Sequence, residues 1–202
     1  MTNAQVEGAV RPVPMEHYYQ GLGDGIWFAN AYDLLLDRLP TDRPIVWVEV
    51  GVLYGQSLAY LGVEIINRNL PVTIHAVDNF AGWPGVDQGE ALRDKFLLNT
   101  APLRDMLGDR FQVHALPSVE ASDLFAPDSC DVVWIDADHS YEAVKADIAA
   151  WWPKVKPGGY LGGDDWAFRG VREAANEAFP EGYMMGDGVR FQAPWPWWLV
   201  KK

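Results

Sequence analysis

Ile45-Val46-Trp47-Val48-Glu49-Val50-Gly51-Val52-Leu53-Tyr54-Gly55 is the stretch on which the reading of this chain turns. Its first six residues form a short, nearly continuous apolar run, the pattern of a strand buried on both faces of a sheet. Gly51 closes that strand, and Gly55 stands just before a helical stretch over 57–69. Glycine lets the backbone turn sharply and pass close to a ligand, and the helix N-terminus beside it offers free N–H groups. An ordinary strand-to-helix turn reads the same way, because a short glycine pattern is weak by itself.

Outward from this turn the chain alternates. Strands are expected over 71–78, 111–115, 131–136 and 160–163, and helices over 90–107, 119–125, 141–152 and 170–179. A helix over 26–39, ended by Pro40 and Pro44, precedes the first strand, and 183–201 reads as two closing strands around a Pro-rich turn. This alternation indicates an α/β fold, a doubly wound and mostly parallel sheet covered on both faces. Residues 1–25, with Pro12, Pro14, Gly21, Gly23 and Gly25, read as an N-terminal arm or lid, and 26–202 as a single domain.

Composition narrows the partners. The 202 residues are 49% hydrophobic and 22% charged, a globular balance. A formal net charge of -12 repels nucleic acid and anionic membrane surfaces, and Lys154/Lys156 and Lys201-Lys202 are too few to make a basic patch. No apolar run approaches the roughly 20 residues of a membrane span. The single Cys130 reads as a small core residue and fits a reducing compartment. Without a basic segment followed by an apolar one at the N-terminus, a cytoplasmic protein is expected. Of the ten tryptophans, Trp151-Trp152 and Trp195, Trp197 and Trp198 suit either the core or an aromatic-walled cleft or homo-oligomer contact.

A doubly wound sheet binds its ligand at the carboxyl ends of its strands. The strand over 71–78 ends in Asp78, an acid placed to accept both hydroxyls of a ribose, or simply to cap a turn. The strand over 131–136 runs into Asp136-Ala137-Asp138-His139, and the one over 160–163 into Asp164-Asp165. Crowded carboxylates resist ionisation unless a cation neutralises them, and three oxygen donors suit magnesium, calcium or manganese. The alternative is that Asp138, Ser140 or Asp165 caps a following helix. His139, three residues after Asp136, can face the same cleft and accept a proton near neutral pH, or make a structural bond at the helix start.

Together these motifs resemble class I S-adenosylmethionine-dependent methyltransferases. The blocks Asp136-Ala137-Asp138-His139-Ser140-Tyr141, Lys156-Pro157-Gly158-Gly159 and Gly163-Asp164-Asp165 are similar to the small bacterial enzymes grouped near the macrocin and cephalosporin-pathway O-methyltransferases. The resemblance spans about 45–179 and implies a Rossmann-like, seven-stranded sheet whose last strand is antiparallel. It assigns Glu49, Gly51, Gly55 and Ser57 to the methionine part of the cofactor, Asp78 with Asn79 and Phe80 to the ribose, and Ser118 to the adenine. Asp136, also beside the cofactor, Asp164 and Asp165 match magnesium ligands, and His139 or else Asp138 matches the general base. The implied reaction is magnesium-assisted O-methylation of a small hydroxylated molecule, a sugar or natural-product scaffold. The rival readings are a metal-independent N- or O-methyltransferase, an NAD(P)-binding oxidoreductase, or a non-catalytic cofactor-binding protein. Against the oxidoreductase stands the Gly51-x-x-x-Gly55 spacing where Gly-x-Gly-x-x-Gly is expected.

Overall fold

Runs of Val, Ile and Trp flanked by turn residues favour strands, and here they pair side by side. The computed structural model describes residues 14–23, 26, 28–186 and 196–202. β1 (Ile45–Val50) lies between β2 (Val72–Val77) and β4 (Cys130–Ile135), parallel to both. β3 (Phe111–His114) extends the sheet beside β2, and β5 (Val155–Gly163) beside β4, again in parallel. β7 (Trp197–Lys201) runs antiparallel to β5 and carries the three-residue edge strand β6 (Met184–Gly186). The order β3-β2-β1-β4-β5-β7-β6 is that of an α/β, Rossmann-like sheet, mostly parallel, with the antiparallel pairing among its last strands.

Helices cover both faces. α1 (Ala29–Arg38), α2 (Gln56–Asn67), α3 (Glu90–Asn99) and α4 (Ala101–Leu107) pack on one side around Tyr32, Trp47, Leu61 and Trp134. α5 (Ser118–Ser122), α6 (Tyr141–Trp151) and α7 (Arg169–Ala178) lie on the other, around Val48, Val133, Trp151 and Trp198. Trp151, Trp197 and Trp198 are all buried, so they fill the core instead of walling a cleft, and Trp195 lies outside the described residues, as do Pro12 and Gly25. No described helix is long and apolar enough to cross a membrane.

Two expected elements differ. The helix over 90–107 breaks at Thr100, whose hydroxyl donates to Phe96 O at 2.8 Å, and Pro102 enters the first turn of α4, where its missing N–H costs nothing. β5 begins at Val155, not at Tyr160, because Lys156-Pro157-Gly158-Gly159 belongs to the strand. The register against β4 shifts between Cys130 and Val132, and Gly158 and Gly159 exchange backbone bonds with Lys202 at 2.7 and 2.9 Å.

Asp131 ties down the amino end of the sheet. It is 2% exposed, accepts Val46 N–H at 2.9 Å, and pairs with Arg43 and Lys156 at 2.7 Å each. Burial alone pushes its pKa up, but the Arg43 and Lys156 contacts outweigh it and hold the carboxyl below its ordinary value. Such a group adds stability above its unfolded pKa that is lost as pH falls through the folded one. Asp131→Ala strands a buried N–H and two partly exposed cations, and is expected to lower unfolding stability by about 2–3 kcal/mol. Urea denaturation at pH 7 measures the loss, and the gap from wild type should narrow as the acid limb is reached.

Candidate active site

The parallel register assembles the site. Val50 pairs with Val77 on one side and Ile135 on the other, and Ile135 pairs with Gly163. The residues that follow, Gly51, Asp78, Asp136 and Asp164, therefore stand in a row along one rim of the sheet. The ladder continues one step into the turns. Gly51 N–H donates to Val77 O and Asp136 N–H to Val50 O, both at 2.8 Å.

Both glycines of the first turn are required by the protein's own packing. Gly51 has φ +85°, and a Cβ there would fall on the carbonyl of Asp136. Gly55, with φ +79°, precedes the first residue of α2, and its missing side chain makes room for Thr100 and Phe96. Asp78 braces the turn: Oδ2 accepts Val52 N–H and Leu53 N–H at 2.9 Å each, and Oδ1 accepts Phe80 N–H at 2.7 Å. Beneath it Glu49 is fully buried, accepting the Tyr32 hydroxyl at 2.7 Å and the Ser57 hydroxyl. Burial pushes the Glu49 carboxyl up to about 7, against the pull of those two bonds.

The acidic cluster lies beyond β4 and β5. Ligand atoms of Asp136, His139 and Asp165 all lie within 4.8 Å of one another. His139 Nε2 sits 2.8 Å from Asp165 Oδ2 and 3.9 Å from Asp136 Oδ1, yet neither contact is aligned as a hydrogen bond. Asp164 is buried, and its Oδ1 has no hydrogen-bond partner among the described residues. Burial, then the charge of Asp165, pushes Asp164 up to about 7. Asp136 is held well above the usual carboxylate range by burial and by Asp164, Asp165 and Glu49. Burial pulls the His139 imidazole down, but Asp165 and the neighbouring acids outweigh it, and its pKa stands above the ordinary value. Acids that resist ionisation beside an unpartnered oxygen and an imidazole are a donor set able to hold a divalent cation. Asp138 is exposed, and its Oδ1 accepts Ser140 N–H at 2.7 Å while Ser140 caps α6.

A family profile described as a methyltransferase domain matches residues 48–166, more than half of the chain and all of this rim. The chain belongs to that family. No curated protein sequence matches it. Among solved structures, this methyltransferase is similar to CalS11, a TDP-rhamnose 3'-O-methyltransferase of calicheamicin biosynthesis, with TM-score 0.62, 17% identity, and 86% of this chain and 77% of that one covered. A Corynebacterium glutamicum protein matches with TM-score 0.65 and 16% identity over 91% and 84% of the two chains. The Burkholderia thailandensis 1,6-didemethyltoxoflavin N1-methyltransferase, solved with its substrate and S-adenosylhomocysteine, matches with TM-score 0.56 and 16% identity over 89% and 79%. At such identities the likeness shows the fold. Family and fold together make the chain a class I S-adenosylmethionine-dependent methyltransferase, which displaces the oxidoreductase reading.

The sequence-selected residues fall into two groups. Glu49, Gly51, Gly55, Ser57 and Asp78 meet at one turn, and Asp136, His139, Asp164 and Asp165 at its neighbour. Several spend their polar atoms inside the protein. Ser57 bonds Glu49, Ser118 accepts the Trp151 indole N–H at 3.0 Å, and Asn79 accepts Ala81 N–H at 2.8 Å. Phe80, at φ +54°, is buried against Phe96. Sequence reasoning missed Tyr32, which reaches Glu49 from α1, and Tyr54, whose hydroxyl donates to Asp87 at 2.9 Å and, with Lys95, ties the loop over 81–89 to the turn. Only the place of Tyr54 inside the Gly51–Gly55 stretch hinted at it. The other histidines make polar contacts away from this rim: His75 Nδ1 meets His114 Nε2 at 3.0 Å, and His17 Nε2 meets Glu64 at 2.8 Å.

Glu49 has a folded pKa raised from 4.5 to about 7. Between those values the folded chain keeps a proton that the unfolded one has released, so the contribution of Glu49 to stability is fully present below pH 4.5 and falls as pH rises through that window. For Glu49 alone the fall is on the order of 3 kcal/mol. Glu49→Gln should flatten this slope in cofactor-free protein, and denaturation midpoints between pH 4.5 and 8 test it. An unchanged slope in the variant would place the titration elsewhere.

Proposed function

We propose that this methyltransferase O-methylates a small hydroxylated acceptor, with magnesium held by Asp136, Asp164 and Asp165 and with His139 as general base. The observation that carries the reading is the cluster itself: carboxylates and an imidazole within 4.8 Å at the ends of β4 and β5, beside a buried Asp164 Oδ1 without a partner. For the cofactor, the support is the row of turns formed by Glu49, Gly51, Gly55 and Ser57, by Asp78, Asn79 and Phe80, and by Asp136, with Ser118 at the next strand end. Residues 1–25 are taken as an arm and 26–202 as the catalytic domain. The acceptor class is supported by CalS11, whose own acceptor is a sugar.

In the reaction, the acceptor oxygen attacks the sulfonium methyl carbon in line with the C–S bond, and S-adenosylhomocysteine leaves. Asp136, Asp164 and Asp165 would hold the cation at the ends of β4 and β5, where it would supply Lewis acidity to an acceptor hydroxyl. His139 Nε2 takes the acceptor proton, and Asp165 Oδ2, 2.8 Å away, stabilises the imidazolium that forms.

A second reading follows from the particular atoms that converge. Asp136, His139 and Asp165 form a mixed oxygen–nitrogen set, which suits manganese or zinc and makes His139 a ligand. Asp138 is then the remaining base.

Titration calorimetry with S-adenosylhomocysteine should show one site per chain, and Asp78→Asn should weaken it at least about tenfold, roughly 1.4 kcal/mol. Turnover lost to EDTA and restored by magnesium supports the first reading, and restoration only by manganese or zinc the second. Turnover that survives EDTA sinks both. His139→Ala should lower kcat about 10²–10³-fold while leaving S-adenosylhomocysteine affinity intact.

A further inference from the structure

Residues 14–23 lie along α2, and their contacts run in order from one end of that helix to the other. Met15 exchanges two hydrogen bonds with the Asn67 side chain, N–H to Oδ1 at 2.7 Å and Nδ2–H to O at 2.9 Å. His17 meets Glu64 at 2.8 Å and stacks on Tyr60 at 5.0 Å, and Tyr19 meets the same Tyr60 ring edge-on at 5.4 Å. At the far end Gln56 Nε2 donates to Tyr19 O at 2.9 Å, and a Cβ on Gly23 would lie 2.6 Å from Gln56 Oε1. Gln56 is the first residue of α2, directly after Gly55. The segment thus travels antiparallel to α2 and arrives at the turn assigned to the cofactor. Met15, Tyr18 and Tyr19 pack against the same apolar cluster as Leu53 and Tyr54 of that turn.

The attachment is built into the fold. Glu64 also binds Arg68, and Arg68 pairs with Asp33 and Asp37 of α1. Tyr60 OH donates to Asp33 at 2.9 Å. One network of side chains therefore ties the segment to both helices.

We propose that residues 14–23 are a strap over the methionine end of the cofactor site, latched at the distal end of α2 by Asn67 and Glu64 and coupled to the cofactor turn by Gln56. The inference rests on the cofactor assignment given above. Because the strap ends against the first residue of α2, directly after the cofactor turn, its latch should slow ligand release from that turn without touching the ligand. Asn67 stands eleven residues along α2 from Gln56, about 16 Å away along the axis. It is exposed, so its loss leaves the core intact.

The test uses the full chain, S-adenosylhomocysteine as probe, and the variants Asn67→Ala and His17→Ala. Stopped-flow displacement should show dissociation about 5–10-fold faster in each variant. Hydrogen exchange at the amides of 15–23 should slow on adding the probe to wild type, and rise in the variants without it. If exchange rises in the variants while dissociation stays at the wild-type rate, the strap has no hold on the site and the proposal falls. Exchange of 15–23 that ignores the probe overturns it equally. Failure of the wild type to bind the probe removes the cofactor assignment, and the strap with it, whereas binding with unchanged release removes the strap alone.

Discussion

Parallel strands that stop level with one another place their turns side by side, and the chemistry of this molecule hangs on that alignment. Because Val50 pairs with both Val77 and Ile135, and Ile135 with Gly163, the next residue of each strand reaches the same rim. A slip of one residue in any pair would turn side chains to the opposite face and scatter the acids. The register is held by the burial of β1 and β4, whose alternate side chains enter two separate apolar clusters. Gly51 shows how tight the fit is, since its neighbour across the rim is the backbone of Asp136 itself.

The two ends of β4 treat negative charge in opposite ways. At the amino end Asp131 has Arg43 and Lys156, and its carboxyl is held below the ordinary range. At the carboxyl end Asp136, Asp164 and Asp165 have only His139 as an ion-pair partner among the described residues, and the carboxyls of Asp136 and Asp164 are pushed up. The first arrangement stabilises the fold. The second costs stability, as sites that concentrate like charge do, and a bound cation would offset that cost. Glu49, buried beneath the adjoining turn, adds a further acid that prefers its proton.

Much of the fold was legible in local pattern. The strand over 45–50 and the helix over 141–152 declared themselves because a strand buried on both faces and an amphipathic helix repeat their apolar residues at different periods. The acids Asp78, Asp136, Asp164 and Asp165 were legible as strand-end residues for the same reason. The start of β5 was not, because Lys156-Pro157-Gly158-Gly159 is a turn signal locally and is drawn into the sheet only by pairing with Lys202. Nor were the tryptophans, whose burial depends on which elements cover them.

The sequence by itself determined the alternation of strands and helices, the glycine turn after β1, and which strands end in acids, since each depends on residues close together in the chain. The tertiary structure alone decided that His139 lies against Asp165, that Tyr32 and Ser57 satisfy Glu49, and that residues 14–23 run along α2 to Gln56. Those contacts join positions 8 to 37 residues apart or on different strands, and no local spacing encodes which buried polar atoms will find each other once the chain is packed.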